Sequence, residues 1–268
     1  MNNRFDLSSI QESLQQFEAI SLDQLNQRAS LLHRRDRKYI FPIAKLAQVI
    51  EACAAHYHIL EVNGSRCVPF QTFYYDTPTL QCYYDHHRGR SPRHKIRHRI
   101  YGTGQEHSLE VKVKTAGFKT KKYRMHLSED NNKPLQLLAY LDFFDACNIS
   151  TIEQYEKILE VRYHRITLVN KLIQEKVTID LGVSFRSDDF IHPYDSIVIA
   201  EIKSENLSNS YFSQLMRTLK ISEGGISKYC LGMISLYPNI KFNNFKPIFR
   251  SIQKLKSHDI DTRASNTA

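Results

Sequence analysis

The sequence predicts an α+β fold: an eight-stranded antiparallel β-barrel with flanking helices. Three observations lead there. From about residue 67 the hydrophobic period shortens to two, the alternating segments are rich in Val, Ile, Tyr and Thr, and turn signals separate several of them. Many short strands with few helices favour a closed barrel over a layered α/β fold. In chain order, Ile10, Leu14, Phe17 and Ile20 recur every three or four residues, and Leu22 and Leu25 follow, so residues 1–30 read as one or two short helices. Arg35 to Phe41 is strand-like and Pro42 punctuates it; Ile43 to Tyr57 reads as a helix with Leu46, Val49, Ile50 and Cys53 on one side. Strands are expected at 68–75, 93–101, 107–114, 120–127, 157–169, 176–185 and 196–203, which with 35–41 makes eight. Turns are marked by Asp76-Thr77-Pro78, Gly102-Thr103-Gly104, Thr115-Ala116-Gly117 and Asp130-Asn131-Asn132. Leu135–Cys147 and Tyr211–Leu219 read as helices, and the basic stretch 239–268 holds another at Pro247–Lys256. The chain divides into a helical segment 1–30, a barrel domain 31–238 and a basic tail 239–268, without internal repeats.

Composition narrows the function classes. With 268 residues, 41% hydrophobic and 24% charged, the chain can bury a real core, which excludes global disorder. No run approaches the ~18 apolar residues of a membrane span, and the first residues lack a signal peptide's apolar stretch. Five scattered cysteines form no CxxC pair, which argues for reduced thiols in a cytoplasmic setting and against a disulfide framework or zinc ribbon. Lys and Arg outnumber Asp and Glu by 37 to 28, a net charge of +9, so a polyanionic partner is expected.

Strand parity locates that charge. Residues two apart share a face, so Arg93, Lys95, Arg97 and Arg99 lie on one side, as do Glu110, Lys112 and Lys114, and Thr120, Lys122 and Arg124. A lysine-rich solvated edge explains one such strand but not several in succession. Glu201 and Lys203 project together from the otherwise apolar Ile197–Lys203, where both faces read as buried and ions need partners. Inward cations from several strands repel one another unless an anion lies among them. Phosphate chains fit: Arg offers a bidentate fork and Lys a compact point charge. An acid among the cations, Glu201, would hold a divalent metal against phosphate oxygens.

The ordered motifs resemble the VTC-type (vacuolar transporter chaperone) polyphosphate polymerase domain of the triphosphate tunnel metalloenzyme superfamily, over about Arg34 to Gly232. They are Arg35-Asp36-Arg37-Lys38-Tyr39, Tyr74-Tyr75-Asp76-Thr77-Pro78, Lys95–Tyr101, Leu109-Glu110-Val111-Lys112, Lys121-Lys122-Tyr123-Arg124, Tyr163-His164-Arg165, Val177-Thr178-Ile179-Asp180, Glu201-Ile202-Lys203 and Ser227-Lys228-Tyr229. The resemblance implies a triphosphate tunnel that transfers the terminal phosphoryl group of ATP to phosphate or polyphosphate and releases ADP. It implies phosphate contacts from Lys38, Arg97, Arg99, Lys112, Lys122, Arg165 and Lys228, hydroxyl donors from Tyr163 and Ser227, and a metal (Mn2+ or Mg2+) on Glu201. Parity adds Lys114, Arg124 and Lys203 to the substrate wall, and Lys176 stands where the family usually has Arg. Asp36 likewise replaces a usual Glu. Both departures bear on rate and exact substrate.

Other readings stay in view. Residues 86–99 carry ten Lys, Arg or His, read as a solvated basic loop at the tunnel mouth, with its histidines exposed or on phosphate rather than on zinc. Gly224-Gly225-Ile226-Ser227-Lys228 lacks the Gly-x4-Gly-Lys-Ser/Thr spacing of a Walker loop. Hydrolysis of inorganic triphosphate or a nucleoside triphosphate is the first rival. Against it, Arg35 and Arg37 stand in the first motif where hydrolytic relatives place acids, an arrangement that favours holding a long polyanion. A non-catalytic polyphosphate-binding module is the second rival. Nucleic acid is not expected, for want of an aromatic platform on a glycine-flanked sheet. Export of the product would require a separate membrane partner, and oligomeric state is not legible.

Overall fold

A computed structural model describes residues 7–28, 35–102, 106–115, 120–127, 135–188 and 190–264. The strands are β1 (Ala19–Ile20), β2 (Arg35–Pro42), β3 (Tyr57–Leu60), β4 (Val68–Asp76), β5 (Arg93–Tyr101), β6 (Glu106–Lys114), β7 (Thr120–Leu127), β8 (Glu156–Asn170), β9 (Glu175–Arg186), β10 (Ile191–Tyr194) and β11 (Ile197–Ser204). The helices are α1 (Leu7–Ser13), α2 (Leu22–Arg28), α3 (Leu46–Ala54), α4 (Gln81–His87), α5 (Leu141–Ala146), α6 (Tyr211–Thr218), α7 (Lys228–Leu236) and α8 (Lys246–Ala264).

Eight strands form one antiparallel path, β2-β11-β9-β8-β4-β5-β6-β7, with β1, β3 and β10 attached beside it. Its ends, β2 and β7, are not hydrogen-bonded to each other among the described residues. The sheet nevertheless curls. Lys38 on β2 acts electrostatically on Lys95 of β5 and Lys112 of β6, although β2 and β5 would stand about 24 Å apart in a flat sheet at about 4.8 Å per strand.

Alternation sorts each strand between an outer and an inner face. Outside, Tyr39, Phe41, Ile166, Leu168, Val177, Ile179, Val198, Ala200 and Ile202 pack under α3 and α6. Across the other half, Phe73, Ile96, Ile100, Leu109, Val111 and Val113 pack under Leu137, Phe144 and Ile152. Inside, one end of the barrel is filled by α7, whose Tyr229, Cys230 and Met233 meet Ile40, Tyr74, Leu159, Ile197 and Ile199. Gly232 makes this approach possible: a Cβ there would lie 2.6 Å from Phe185 Cδ1 and 2.7 Å from Leu159 Cδ2. The rest of the interior is left to polar side chains.

Several expectations need correction. Ile20 belongs to β1, because the N-terminal helical run stops at Gln16 and the chain turns to pair with β3. Tyr57 likewise opens β3 instead of closing a helix. Leu135–Cys147 splits into a 3-10 turn (Leu137–Tyr140) and the short α5. Helices α4 and α7 carry too few exposed polar positions to show an amphipathic period, since each is buried on most sides. The basic stretch from residue 86 is not one solvated loop: His86 and His87 end α4, and Arg93–Arg99 lie in β5. His87 and His98 are buried rather than exposed, at 5% and 0%. His98 faces outward onto Phe73 and bonds His107 (Nε2–Nδ1 3.1 Å), away from any phosphate path. Asp76 is buried at a turn, where its carboxylate accepts the Thr77, Cys82 and Tyr83 amides and the Tyr229 hydroxyl, so it anchors α4 and α7 together. The turn at Asp130–Asn132 and most of those at Gly102–Gly104 and Thr115–Gly117 lie outside the described residues.

Candidate functional site

The inner face reads as rows across the strands. On one flank, Tyr74, Arg97, Glu110 and Arg124 are register partners in β4, β5, β6 and β7. Thr72, Arg99, Ser108 and His126 form the row on one side; Lys95, Lys112 and Lys122 form the row on the other, followed by Arg93, Lys114 and Thr120. On the opposite flank, Lys38, Glu201, Thr178 and Thr167 align across β2, β11, β9 and β8. Beside that row stand Asp36, Lys203 and Lys176, and on its other side Asp180 and Arg165. Every predicted site residue on these strands therefore faces the interior, as does Tyr163, the register partner of Phe70.

The acids are distributed unequally. Glu110 accepts from Arg97 Nε at 2.7 Å and Arg124 at 2.7 Å, with Tyr101 Oη at 3.1 Å and Arg99 at 3.9 Å. Burial favours its neutral form, but the three guanidiniums prevail and hold it well below the usual carboxylate range. Asp180 takes two bonds from Arg165 (2.6 and 2.8 Å) and one from Lys228, and is depressed for the same reason. Glu201 differs: its neighbours are the Lys38 ammonium at 3.3 Å and the Lys203 ammonium at 3.7 Å. Burial alone would raise its pKa, yet Lys203, Lys38, Arg165 and Lys228 bring it down to about 2.

The Lys95–Lys112–Lys122 row contains no acid. Burial, then Arg97, Arg93 and Lys38, push the Lys95 ammonium below its ordinary range; burial, Lys95 and Lys38 do the same to Lys112, against the opposing pull of Glu201 and Asp36 across the interior. At the inner end of this row Lys95 lies 5.6 Å from the Tyr229 ring centroid. Aromatic rings separate the remaining cations. Phe70 and Tyr163 stack at 5.2 Å, Arg165 sits 5.0 and 5.2 Å from their centroids, Arg99 5.8 Å from Phe70, and Lys228 4.7 Å from Tyr163. Lys228 opens α7, and Ser227 caps that helix by accepting the Cys230 amide at 3.2 Å, leaving its hydroxyl proton free to donate. Two buried polar atoms of the Thr72–Arg99 row, Thr72 Oγ1 and Arg99 Nε, have no hydrogen-bond partner among the described residues.

A divalent cation fits one place in this donor set. Guanidiniums engage Glu110 and Asp180, while Glu201 keeps an ionised carboxylate beside flexible lysines. Among the described residues no group of three or more His, Cys, Asp and Glu is arranged as a metal cage. A hard cation at Glu201 would therefore complete its oxygen shell with substrate phosphates.

Sequence reasoning missed Asp180 and Glu110 as counter-ions and the Phe70–Tyr163 spacer, and it put Lys95 on the charged face without giving it a role. Parity with Lys176, Lys112 and Arg97 was the available signal for the three charged residues; nothing marked Phe70. Arg37 is corrected: it sits on the outer face, with Nε 2.8 Å from Glu223, so it does not line the interior.

The VTC domain family matches residues 33–237. The chain belongs to the VTC domain family. The matched residues span β2 to α7 and so contain every row above. No curated protein matches this VTC domain chain. Among solved structures it is similar to a candidate adenylate cyclase from Bacillus halodurans (12% identity, TM-score 0.49, 76% of this chain and 97% of that one). A Hippeastrum adenylyl cyclase candidate described as having a dominant triphosphatase activity gives 11% identity, TM-score 0.48, and coverage of 75% and 95%. A candidate adenylate cyclase from Vibrio parahaemolyticus gives 12%, 0.43, and 74% and 97%. Among the described residues of this VTC domain chain no helix is long and apolar enough to cross a membrane.

Proposed function

We propose that this VTC domain is an ATP-dependent polyphosphate polymerase of the cytoplasm, transferring the γ-phosphoryl group of ATP to phosphate or a growing polyphosphate chain inside the tunnel. The observation that carries the reading is the acid-free row Lys95–Lys112–Lys122, faced by Lys38. Cations crowded together in this way gain from an anion brought among them. A row three strands wide matches a chain of phosphates better than one carboxylate. The domain would span residues 31–238.

In such a transfer the bond from the γ-phosphorus to the β,γ-bridging oxygen breaks, a bond to the acceptor's terminal oxygen forms, and ADP leaves with the electron pair. The acceptor oxygen is already anionic, so no strong base is needed, and positioning and charge neutralisation dominate. Arg97, Arg99, Arg165 and Lys228 would orient the donor phosphates, with the Phe70–Tyr163 stack keeping two guanidiniums apart. Lys38, Lys112, Lys114, Lys122 and Arg124 would hold the acceptor chain, with Lys176 and Lys203 at the far end of the Glu201 flank. Tyr163 and Ser227 would add hydroxyl donors. A Mn2+ or Mg2+ ion at Glu201 would supply charge neutralisation on the phosphate oxygens.

The test is incubation of purified protein with ATP and manganese, with chromatography for ADP and gel analysis for polyphosphate. Polymer together with ADP is expected. Phosphate release without polymer would transfer the assignment to a tunnel triphosphatase, and binding without turnover to a polyphosphate-binding module.

A further inference from the structure

Strand β2 ends the eight-strand path, and its free edge is lined by residues 223–225. Tyr39 forms an antiparallel bridge with Glu223, and the Gly224 amide donates to the Lys38 carbonyl at 2.9 Å. Arg37 ties the same segment down through Glu223. The chain thus runs directly beside Lys38 before it enters α7.

Gly225 touches that lysine. A Cβ at 225 would lie 2.7 Å from Lys38 Cβ, 3.1 Å from Cδ and 3.5 Å from Cγ. The Lys38 stem fills the space a side chain would take, and its Cβ cannot swing aside without moving β2. The backbone of Gly225 is not left-handed, so space and not conformation demands glycine here. The neighbouring Gly224 is different: its Cβ would meet Ile248 Cδ1 at 3.5 Å, an ordinary contact.

We propose that Gly225 is a positioning residue: its bare α-carbon seats the Lys38 stem so that the ammonium reaches Glu201 and the tunnel. The proposal rests on the reading of Lys38 as a phosphate contact. The same segment delivers Lys228 three residues later, so one strip of chain sets two cations, Lys38 at Glu201 and Lys228 at Asp180. On that reading, Gly225 fixes where one of a phosphate chain's counter-charges stands.

The test compares G225A with G224A by calorimetric binding of inorganic triphosphate and by crystallography of each variant. G225A should bind about tenfold more weakly, the loss of roughly one charge-assisted contact, with Lys38 Nζ displaced from Glu201. G224A should match the parent protein in both respects. In a K38G background, which removes the atom struck, G225A should cost no further affinity. If G225A fails to fold, K38G/G225A should recover folding, and failure to recover would overturn the proposal. Lys38 found in place in G225A crystals, or G224A as damaging as G225A, would also overturn it. Absence of triphosphate binding by the parent protein would refute the phosphate reading alone, because the position of Lys38 in G225A still decides the role of Gly225.

Discussion

Replacing Glu110 by Gln tests whether the tunnel wall is an assembly of cations held together by internal acids. Glutamine keeps the size and one acceptor oxygen but removes the charge that three arginines share. Arg124 is 51% exposed, so its pair with Glu110 is worth under about 1 kcal/mol. Arg97 and Arg99 are 27% and 10% exposed, and stripping a buried counter-ion from such groups costs about 3–5 kcal/mol in general. The amide still accepts one bond, so the lower end, about 3 kcal/mol, is expected, or about 6–12 °C in melting temperature for a chain of this size. The sign should reverse for ligand binding. Without Glu110, triphosphate meets less repulsion and more unpaired guanidinium, so affinity should rise about tenfold, returning about 1.4 kcal/mol at saturation. Urea unfolding with and without sodium triphosphate measures both quantities. A variant as stable as the parent, or one whose stability deficit widens when triphosphate is added, would refute the claim that these arginines await an anion.

Glu201→Ala should abolish manganese-dependent turnover without lowering metal-free triphosphate affinity, since a repelling carboxylate is gone; retained turnover in the standard ATP assay would remove Glu201 from the metal site. Lys95→Met should raise stability by under about 1 kcal/mol by relieving repulsion among the row's cations, two of which are exposed, while weakening polyphosphate binding about tenfold, and a stability loss in urea would contradict the cationic row. His98, brought to about 4 by burial and by His107, binds its proton later than in the unfolded chain, where histidine titrates near about 6.5. Between those values the unfolded chain holds the extra proton, so the His98 share of stability should fall as pH drops, by about 2 kcal/mol at about pH 5 relative to neutrality. His86, His87, His94 and His164 are lowered too, chiefly by burial, so His98→Phe should lessen the slope in urea midpoints without abolishing it, and an unchanged slope would assign the titration to those groups.

The strands were legible because alternation is a local property. Residues 120–127 were predicted with the bounds of β7, and 93–101 with those of β5. Parity alone then put Arg97, Lys112, Lys122 and Arg124 on shared faces. Helices α4 and α7 were illegible for the opposite reason: Tyr83, Cys82, Cys230 and Met233 are buried on several sides, so no polar stripe marks a period. Counter-ion pairing was illegible too. Nothing near Asp180 in the sequence shows that Lys228, 48 residues away, comes back through α7 to meet it. Parity with inward Lys38 would have turned Arg37 outward, but its partner Glu223, from the segment before α7, needed the structure.

The arrangement of acids separates the two flanks more sharply than their cation counts do. On the β8–β9 side, Asp180 neutralises Arg165 and Lys228, so these cations are fixed in direction before any ligand arrives. Glu110 does the same for Arg97 and Arg124. On the proposed polymerase reading, cations pre-aimed in this way suit the part of the reaction where geometry matters, the donor phosphates around the bond that breaks. The lysines of the neighbouring row have one another, and no carboxylate, as register partners, and their stems are flexible. On the proposed reading they would follow a chain that advances by one phosphate per cycle, holding whichever unit is opposite without specifying it. For the proposed polymerase, then, arginines pinned by carboxylates would fix a donor, and lysines in a row without a carboxylate register partner would let an acceptor slide. Exchanging the types, with Arg at 112 and 122, should therefore slow release of the product chain more than it changes ATP binding, and single-turnover kinetics separates those two steps.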